Sequence, residues 1–199
     1  MTRFLRPSAL LAVLALILLA PVMLLVALLV LISMGRPLLF HQMRSGLGGV
    51  PFRMVKYRTM GDLRGTTGAL LPDQARTTGI GRFLRRSRLD ELPELVNVVA
   101  GDMDLIGPRP LLPETIAQMG AGGVVRGLVR PGLTGLAQVS GNTLLSADEK
   151  LEFDTWYVRH RTLWLDWKIM LRTILVVVMG EKRRTGRHAD DARHSRRGC

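Results

Sequence analysis

The stretch ALLAVLALILLAPVMLLVALLVLI, which runs from Ala9 to Ile32, decides how this chain is built. It has 24 residues, and only Pro21 falls outside the set Ala, Val, Ile, Leu and Met. As an α-helix it would be about 36 Å long, enough to cross a hydrocarbon core of about 30 Å. A secretory signal is disfavoured, because its apolar region is usually only about 7–15 residues and precedes a small-residue cleavage site. The length therefore predicts a membrane helix.

Pro21 and the flanking charges favour a helix that bends and returns to the face it came from. Proline removes one main-chain hydrogen bond and clashes with the preceding turn, so a bend is expected there. Arg3 and Arg6 precede the run, and Arg36 and Arg44 follow it. A straight span would place one basic cluster on the far side, against the positive-inside tendency. A kinked helix that crosses once stays open, because membrane helices tolerate proline.

The rest of the sequence has the composition of one soluble domain. The 199 residues carry 28 Lys plus Arg against 16 Asp plus Glu, a net charge of +12. A single long apolar run excludes a polytopic transporter, and a single cysteine, Cys199, excludes an intrachain disulfide scaffold. Most of the bases are Arg, whose planar fork suits phosphate, so lipid headgroups, nucleotides and nucleic acid are candidate partners. Only two aromatic residues lie near a basic strand, so a nucleic-acid stacking platform is poorly supported.

The patterns predict an α+β chain in three parts. Residues 1–36 form the membrane anchor, residues 37–180 a small, mostly helical domain with short strands, and residues 181–199 a basic, disordered tail. The predicted strands cover residues 37–40 and 51–57, and a loop covers residues 61–79. One predicted helix begins near residue 79, and three others cover residues 91–99, 144–157 and 163–179. The last of these is amphipathic, with Trp164 and Trp167 near one end, and is expected either to lie along the membrane interface or to cover the domain.

The segment LDELPEL, residues 89–95, carries the strongest chemical signal. Pro93 suits a first helical turn, so the predicted helix starts at about Glu91 with Asp90 near its N-cap. Free N–H groups, the positive end of the helix dipole and four nearby Arg predict that Asp90 stays ionised. Adjacent Asp90 and Glu91 are suited to hold Mg²⁺ together with substrate phosphates. Read alone, the motif is also common as an ordinary helix start.

Two later segments suit anion binding. Arg109 lies between two prolines, which hold its backbone extended and aim its side chain. Residues 130–141, RPGLTGLAQVSG, contain three glycines that could bring main-chain N–H groups close to an anion. This segment lacks the Gly-Lys-Ser/Thr ending of a P-loop. Neither segment establishes phosphate binding, and the four scattered histidines form no metal-ligand pattern.

Eight short motifs follow one another along the chain. In order, they are FRMVKYRTM (52–60), GRFLR (81–85), LDELP (89–93), GDM (101–103), GPRP (107–110), RPGLTGLAQ (130–138), WYV (156–158) and LDWK (165–168). Together they closely resemble the bacterial sugar transferases, the small monotopic phosphoglycosyl transferases that start glycan assembly on undecaprenyl phosphate. The resemblance covers roughly residues 8–179.

The resemblance implies a reaction and a place for it. A sugar 1-phosphate moves from a UDP-sugar to undecaprenyl phosphate with release of UMP, by a ping-pong path that requires Mg²⁺. Asp90 would be the nucleophile, forming a phosphosugar-aspartyl enzyme, and Glu91 its metal-associated partner. The implied ligands of phosphate and nucleotide are Lys56, Arg85, Arg109, Arg130 and Gln138. The family implies a domain on the cytoplasmic face of the bacterial inner membrane, in contact with membrane lipid.

Pro21 matches the helix-breaking proline of the family, which implies the re-entrant form of the anchor. The chain departs from the family pattern in having Ala20 where Ser is usual, and Asn142 within a segment that usually reads Gly-Arg-Asn. The alternative function is a non-enzymatic, membrane-anchored adaptor for anionic lipid or nucleic acid, whose binding would weaken with salt and ignore Asp90. The acidic pair within a basic segment speaks against it. The donor sugar, the glycan pathway and the oligomeric state are not determined by the sequence.

Overall fold

A computed structural model describes residues 6–181 as helices joined by short strands. The described chain forms two compact units. The first contains residues 6–42 and 53–100, and the second contains residues 43–52 and 101–181. The mixture of helices and short strands confirms the expected α+β class. Except for Glu181, the predicted tail lies outside the described residues.

The first unit begins with α1, which spans Pro7–Met34. Pro7 occupies the first turn, where its missing N–H costs nothing, and Gly35 ends the helix with a φ of 69°. Within residues 6–181, α1 is the one helix long and apolar enough to cross a membrane, with a mean hydropathy of 3.2 and most side chains exposed. Pro21 lies in the helix interior. The bend at Pro21 and the division of the chain at residues 36 and 180 stay predictions.

One stripe of α1 packs within the first unit. Val26 and Val30 are buried in a cluster with Tyr57 and Leu84. The Tyr57 hydroxyl donates a hydrogen bond of 2.8 Å to the main-chain oxygen of Met23. Helix α1 therefore contacts the strand that carries Lys56.

That strand belongs to a hairpin of two strands, β1 (Leu39–Ser45) and β2 (Pro51–Tyr57). The base of the hairpin lies in the first unit and its tip in the second. The predicted bounds of β2 are confirmed. The strand predicted at residues 37–40 was placed too early. Proline cannot donate to a strand ladder, and β1 begins two residues after Pro37.

Three helices complete the first unit: α2 (Asp73–Arg76), α3 (Gly79–Ser87) and α4 (Glu94–Ala100). Helix α3 begins where predicted, with the Thr78 side chain accepting a hydrogen bond from the Gly81 N–H. Gly81 also lies so close to the Thr59 carbonyl that a β-carbon would overlap it. Helix α2 lies inside the segment predicted to be a loop.

The start of α4 corrects the sequence prediction. The helix begins at Glu94 rather than Glu91, and a 3-10 turn over Leu89–Glu91 precedes it. Pro93 has no N–H, so it cannot close the α-helical bond to the carbonyl four residues back. The Leu92 N–H instead donates to the Leu89 carbonyl three residues back. Asp90 therefore lies inside a 3-10 turn and is not the N-cap of an α-helix.

The second unit contains two paired strands and five helices among the described residues. In chain order they are β3 (Asp104–Ile106), α5 (Pro113–Gln118), α6 (Ala121–Arg126), β4 (Gly132–Thr134), α7 (Leu136–Val139), α8 (Ala147–His160) and α9 (Leu163–Met179). Strands β3 and β4 are parallel, with Asp104 opposite Gly132 and Ile106 opposite Thr134. Ile106, Leu136 and Tyr157 are among the residues of the buried core.

The glycines at 132 and 135 have a packing role in this unit. A β-carbon at either position would overlap the main chain of Gly107. The sequence suggested that these glycines bring N–H groups to an anion. The structure gives a different reason for them, the close approach of two segments of main chain.

The last two helices lie where they were predicted, although α8 is displaced by three residues at each end from the predicted 144–157. Helix α8 begins at Ala147 instead of residue 144, because Ser146 and Glu149 form a capping box and Asn142–Leu144 is a separate 3-10 turn. Helix α9 has the predicted bounds. Its Ile169 is fully buried in the core, while Trp164 and Trp167 are exposed. One side of α9 therefore covers the unit, and its exposed apolar side chains suit the predicted membrane interface.

Candidate active site

Asp90 and Glu91 lie in the 3-10 turn that joins α3 to α4. Arg88 makes the junction with a left-handed backbone, φ 57° and ψ 17°, which is uncommon for a residue other than glycine. Each of the two acidic residues is 8% exposed. Two adjacent carboxylates that are this buried need charged or polar partners, because burial of an unpaired charge is costly.

Lys56 on β2 supplies the main partner. Its Nζ lies 3.0 Å from Oε1 of Glu91 and 3.0 Å from Oε1 of Glu94. Glu94, at the first position of α4, is 3% exposed. One ammonium group is therefore shared by two buried carboxylates. Arg88 adds a longer contact to Glu91, with Nη1 3.6 Å from Oε2.

Asn97 fixes the strand that presents Lys56. The main-chain N–H of Val55 donates to Asn97 Oδ1 at 3.1 Å, and Asn97 Nδ2 donates to the Arg53 carbonyl at 2.9 Å. Glu94 and Asn97 are three residues apart, so they lie on one face of α4. This face of α4 therefore contacts both the main chain of β2 and the Lys56 side chain that β2 carries.

The environment of Asp90 raises its pKa to about 6, from an ordinary value of 3.8. Burial is the largest cause, and the negative charge of Glu91 adds to it. Lys56, a main-chain hydrogen bond and Arg85 act in the opposite direction but do not outweigh burial. The sequence predicted an ionised Asp90. The group is ionised at neutral pH, but with a pKa far closer to 7 than that of a surface aspartate.

The four arginines near Asp90 do not act as one cationic cluster. Arg85 is the one that lowers the pKa of Asp90, and its Nε donates to Thr59 Oγ1 at 2.9 Å. Arg88 contacts Glu91, while Arg82 donates to the Thr77 main-chain oxygen. The sequence places all four close in the chain, but helical geometry points them in different directions.

The remaining predicted ligands belong to the second unit. Arg109 lies in the loop between β3 and α5, and its main-chain oxygen accepts a hydrogen bond from Arg126. Arg130 Nε donates to the Gly101 main-chain oxygen at 2.9 Å. Gln138 on α7 is buried and donates to the Leu133 main-chain oxygen at 3.1 Å. Its Oε1 has no hydrogen-bond partner within the described part of the chain.

The structure thus brings together four of the predicted residues in the first unit: Asp90, Glu91, Lys56 and Arg85. Sequence reasoning missed Glu94 and Asn97, which hold Lys56 and its strand. The spacing of Glu91, Glu94 and Asn97 at intervals of three residues was a usable signal, because such residues share one side of a helix. Pro93 concealed it by suggesting only a helix start.

The donor set fits a Mg²⁺ ion held jointly with substrate. No group of three or more His, Cys, Asp or Glu side chains within residues 6–181 is arranged to hold a metal by protein ligands alone. Mg²⁺ commonly binds one or two carboxylates and completes its coordination with water and substrate phosphates. Asp90 and Glu91, two adjacent buried carboxylates, would supply the protein ligands of such an ion.

Comparison with known proteins identifies the family of the chain. Residues 6–180 match the family described as bacterial sugar transferase. The chain belongs to the bacterial sugar transferase family. The match contains both units of the described structure, the carboxylates of the 3-10 turn and helix α1.

Curated relatives in this family include proteins of known name. An uncharacterized sugar transferase, EpsL of Bacillus subtilis (strain 168), is 43% identical over 150 residues, covering 75% of this chain and 74% of the relative. The UDP-glucose:undecaprenyl-phosphate glucose-1-phosphate transferase of Escherichia coli (strain K12) is 39% identical over 175 residues, covering 82% of this chain but 38% of the relative. An Aeromonas hydrophila protein named UDP-N-acetylgalactosamine-undecaprenyl-phosphate N-acetylgalactosaminephosphotransferase is 37% identical and covers 85% of this chain and 42% of the relative.

Two of these names agree on the acceptor and differ on the sugar. Undecaprenyl phosphate is common to the second and third, whereas one name specifies glucose and the other N-acetylgalactosamine. The chain spans less than half the length of both. These two names therefore share an acceptor and leave the sugar open.

Proposed function

We propose that this chain transfers a sugar 1-phosphate from a UDP-sugar to undecaprenyl phosphate and releases UMP. The observation that carries the proposal is the buried carboxylate of Asp90, whose neighbours are Glu91, Lys56 and Arg85. The named relatives support the two substrates. Lys56 and Arg85, the two cations that interact with this carboxylate, suit a reaction between two anions, since they can neutralise charge on the phosphoryl oxygens.

In the first proposed step, an Asp90 carboxylate oxygen attacks the phosphorus that bears the sugar. The bond from that phosphorus to the UMP oxygen breaks as the aspartyl–phosphorus bond forms, and UMP leaves with the electron pair. A raised pKa favours this role, because at neutral pH the group is about nine-tenths ionised and is a stronger base than a surface aspartate. Burial supplies that basicity by removing water from the carboxylate.

In the second proposed step, a phosphate oxygen of undecaprenyl phosphate attacks the same phosphorus. The bond from phosphorus to Asp90 breaks, which restores the carboxylate and leaves a sugar diphosphate lipid. In this proposal Lys56 and Arg85 bind phosphate oxygens during both steps, while Glu94 and Asn97 hold Lys56 and its strand. Mg²⁺, when bound to Asp90 and Glu91, would neutralise charge on the diphosphate.

The proposed location is the cytoplasmic face of the bacterial inner membrane, with α1 as the anchor. Helix α1 has the length and exposed apolar surface that an anchor needs. A re-entrant helix would place both of its ends on one face. Cysteines introduced at Thr2 and at Arg36, in a Cys199→Ser background, test this by labelling with an impermeant maleimide on sealed vesicles of known orientation. Equal accessibility supports the bend at Pro21, and opposite accessibility supports a single crossing.

The reaction is tested with the purified chain, Mg²⁺, a polyprenyl phosphate and a panel of UDP-sugars. UMP release is expected, and release of UDP instead would reject the proposed reaction. A panel of UDP-glucose, UDP-galactose and UDP-N-acetylgalactosamine would identify the donor. Asp73→Asn is the matched control for Asp90→Asn, because the Asp73 side chain is 71% exposed and pairs with the nearby Arg76.

The ping-pong path is tested by leaving out the acceptor. The chain with donor alone should release about one UMP per active site and gain the mass of a sugar phosphate. Asp90→Asn should show neither change, while Asp73→Asn should show both. A sugar phosphate found on another residue of the wild-type chain would refute Asp90 as the nucleophile.

A further inference from the structure

A buried ion pair in the second unit contacts the main chain of Arg109. Arg126, the last residue of α6, is 5% exposed, and Asp154 in the middle of α8 is 4% exposed. Arg126 Nε and Nη2 each lie 2.9 Å from Oδ2 of Asp154. Arg126 Nη2 also donates to the Arg109 main-chain oxygen at 2.8 Å. One guanidinium group therefore joins the aspartate of α8 to the loop that carries Arg109.

Main-chain hydrogen bonds fix the loop on either side of Arg109, because the Pro108 carbonyl accepts from the Gly132 N–H at 2.9 Å and the Leu111 carbonyl accepts from the Ser45 N–H at 2.9 Å. Arg109 lies between Pro108 and Pro110, and neither proline has an N–H to donate. The prolines restrict the direction of the chain, but they do not attach it to the helices behind. The bond from Arg126 to the Arg109 carbonyl provides that attachment.

The helices that carry the ion pair are closely packed. At Gly122 a β-carbon would approach the Leu151 side chain of α8 to within 2.8 Å, and at Gly123 it would overlap the Ile116 carbonyl of α5. Glycines at these two positions allow α6 to lie tightly against both neighbours. The guanidinium group of Arg126 is therefore buried among closely packed helices.

The ion pair between Arg126 and Asp154 carries a desolvation cost that apolar side chains in the same place would not have. Burial raises the pKa of Asp154 to about 6, even though Arg126 and Lys150 both act to lower it. Buried ion pairs are often matched or exceeded in stability by apolar side chains of similar volume. The ion pair is therefore weak evidence for a role in stability alone.

We propose that Arg126, held by Asp154, is a positioning residue that fixes the main chain at Arg109 so that the Arg109 side chain can bind the phosphate or nucleotide of the donor. The inference rests on the proposed transferase function and on Arg109 as a donor ligand. Arg126 itself contacts no substrate in this scheme. Its effect passes through one hydrogen bond to a main-chain oxygen.

The decisive variant is the double substitution Arg126→Met with Asp154→Leu. It removes both charges together, so neither partner is left buried and unpaired, and it keeps the volume similar. The melting temperature should stay within a few degrees of the wild type. The KM for the UDP-sugar should rise about tenfold, as expected for loss of one hydrogen bond from a charged donor, with kcat little changed. Arg126→Lys, which keeps the charge, should recover part of that loss.

Two single variants complete the design. Arg109→Ala should raise the donor KM at least as much as the double variant, and combining the two changes should add little further. Lys150→Met removes a neighbouring charge on α8 without touching the Arg109 loop, and its donor KM should match the wild type.

The outcomes separate this inference from the proposed function. A double variant that is stable and has the wild-type donor KM overturns the inference, and so does an Arg109→Ala variant with an unchanged KM. A wild-type chain that releases no UMP with any UDP-sugar refutes the proposed function itself. An unstable double variant with unchanged KM in its folded fraction would show that the ion pair is purely structural.

Discussion

Replacing Asp90 by Asn should make the protein more stable while abolishing its proposed activity. The carboxylate is 8% exposed, and burial is the main reason its pKa is raised to about 6. Asn has almost the same shape and carries no charge, so it resembles the protonated form of the aspartate. The variant therefore removes the cost of keeping a charged group in this turn.

The size of the effect follows from the pKa. The folded chain binds the proton on Asp90 more tightly than the unfolded chain, for which the ordinary value of 3.8 applies. Stability therefore falls as the pH rises from about 4 to about 6. At 1.36 kcal/mol per pKa unit the full loss is about 3 kcal/mol, which corresponds to about 6–12 °C in melting temperature for a chain of this size. The Asn variant avoids this loss.

The assay is thermal unfolding of the full chain in detergent at pH 4 and pH 8. EDTA is included so that no divalent cation neutralises Asp90. At pH 8 the Asn variant should melt several degrees above the wild type, and at pH 4 the difference should shrink to under about 1 kcal/mol. Asp73→Asn, which alters an exposed aspartate, should change stability by less than about 0.5 kcal/mol at either pH.

Two results would refute this reasoning. An Asn variant that melts at or below the wild type at pH 8 would mean that the favourable contacts of the Asp90 carboxylate exceed its cost of burial. A difference that is the same at pH 4 and pH 8 would show that the effect does not come from ionisation.

Three further predictions concern the first unit. The acid limb of kcat/KM against pH should be set by Asp90 and lie at or below about pH 6, because bound Mg²⁺ would lower that pKa. Glu91→Gln should move the limb to lower pH in the residual activity, because the charge of Glu91 raises the pKa of Asp90. Tyr57→Phe should lower stability by about 1 kcal/mol in thermal unfolding, since it removes the hydrogen bond to a main-chain carbonyl of α1. Gly81→Ala should prevent recovery of folded protein, because the added β-carbon would overlap the main chain of Thr59. Gly79→Ala is the control in the same helix, since a β-carbon there would lie 3.9 Å from its nearest neighbour, and circular dichroism should show that this variant folds normally.

Local patterns in the chain were enough to predict much of this architecture. The apolar run predicted α1, alternation predicted β2, and the Ser146 capping signal and apolar periodicity predicted α8 and α9. These features depend on residues within a few positions of one another. The order of short motifs also indicated the family, because that order is a property of the sequence alone.

The surroundings of Asp90 could be known only from the folded chain. Lys56 is 34 residues away from Asp90 along the sequence, and contact with α4 brings its strand to the turn. The raised pKa of Asp90 follows from burial, which depends on how the elements pack rather than on neighbours in the chain. The sequence showed four nearby arginines and a helix start, and these predicted only that Asp90 stays ionised. They gave no sign of the burial that raises its pKa.

In the second unit, too, local sequence pattern and long-range packing determine different features. The three residues RPG at 130–132 looked like part of an anion loop, and only the packed structure shows that Gly132 is needed where two strands lie side by side. The contact of Arg126 with Asp154 and Arg109 joins residues 17 and 28 positions apart. Short-range order along the chain determined the elements and the family. Long-range packing, which sets burial and brings distant charges together, determined the chemistry at each residue.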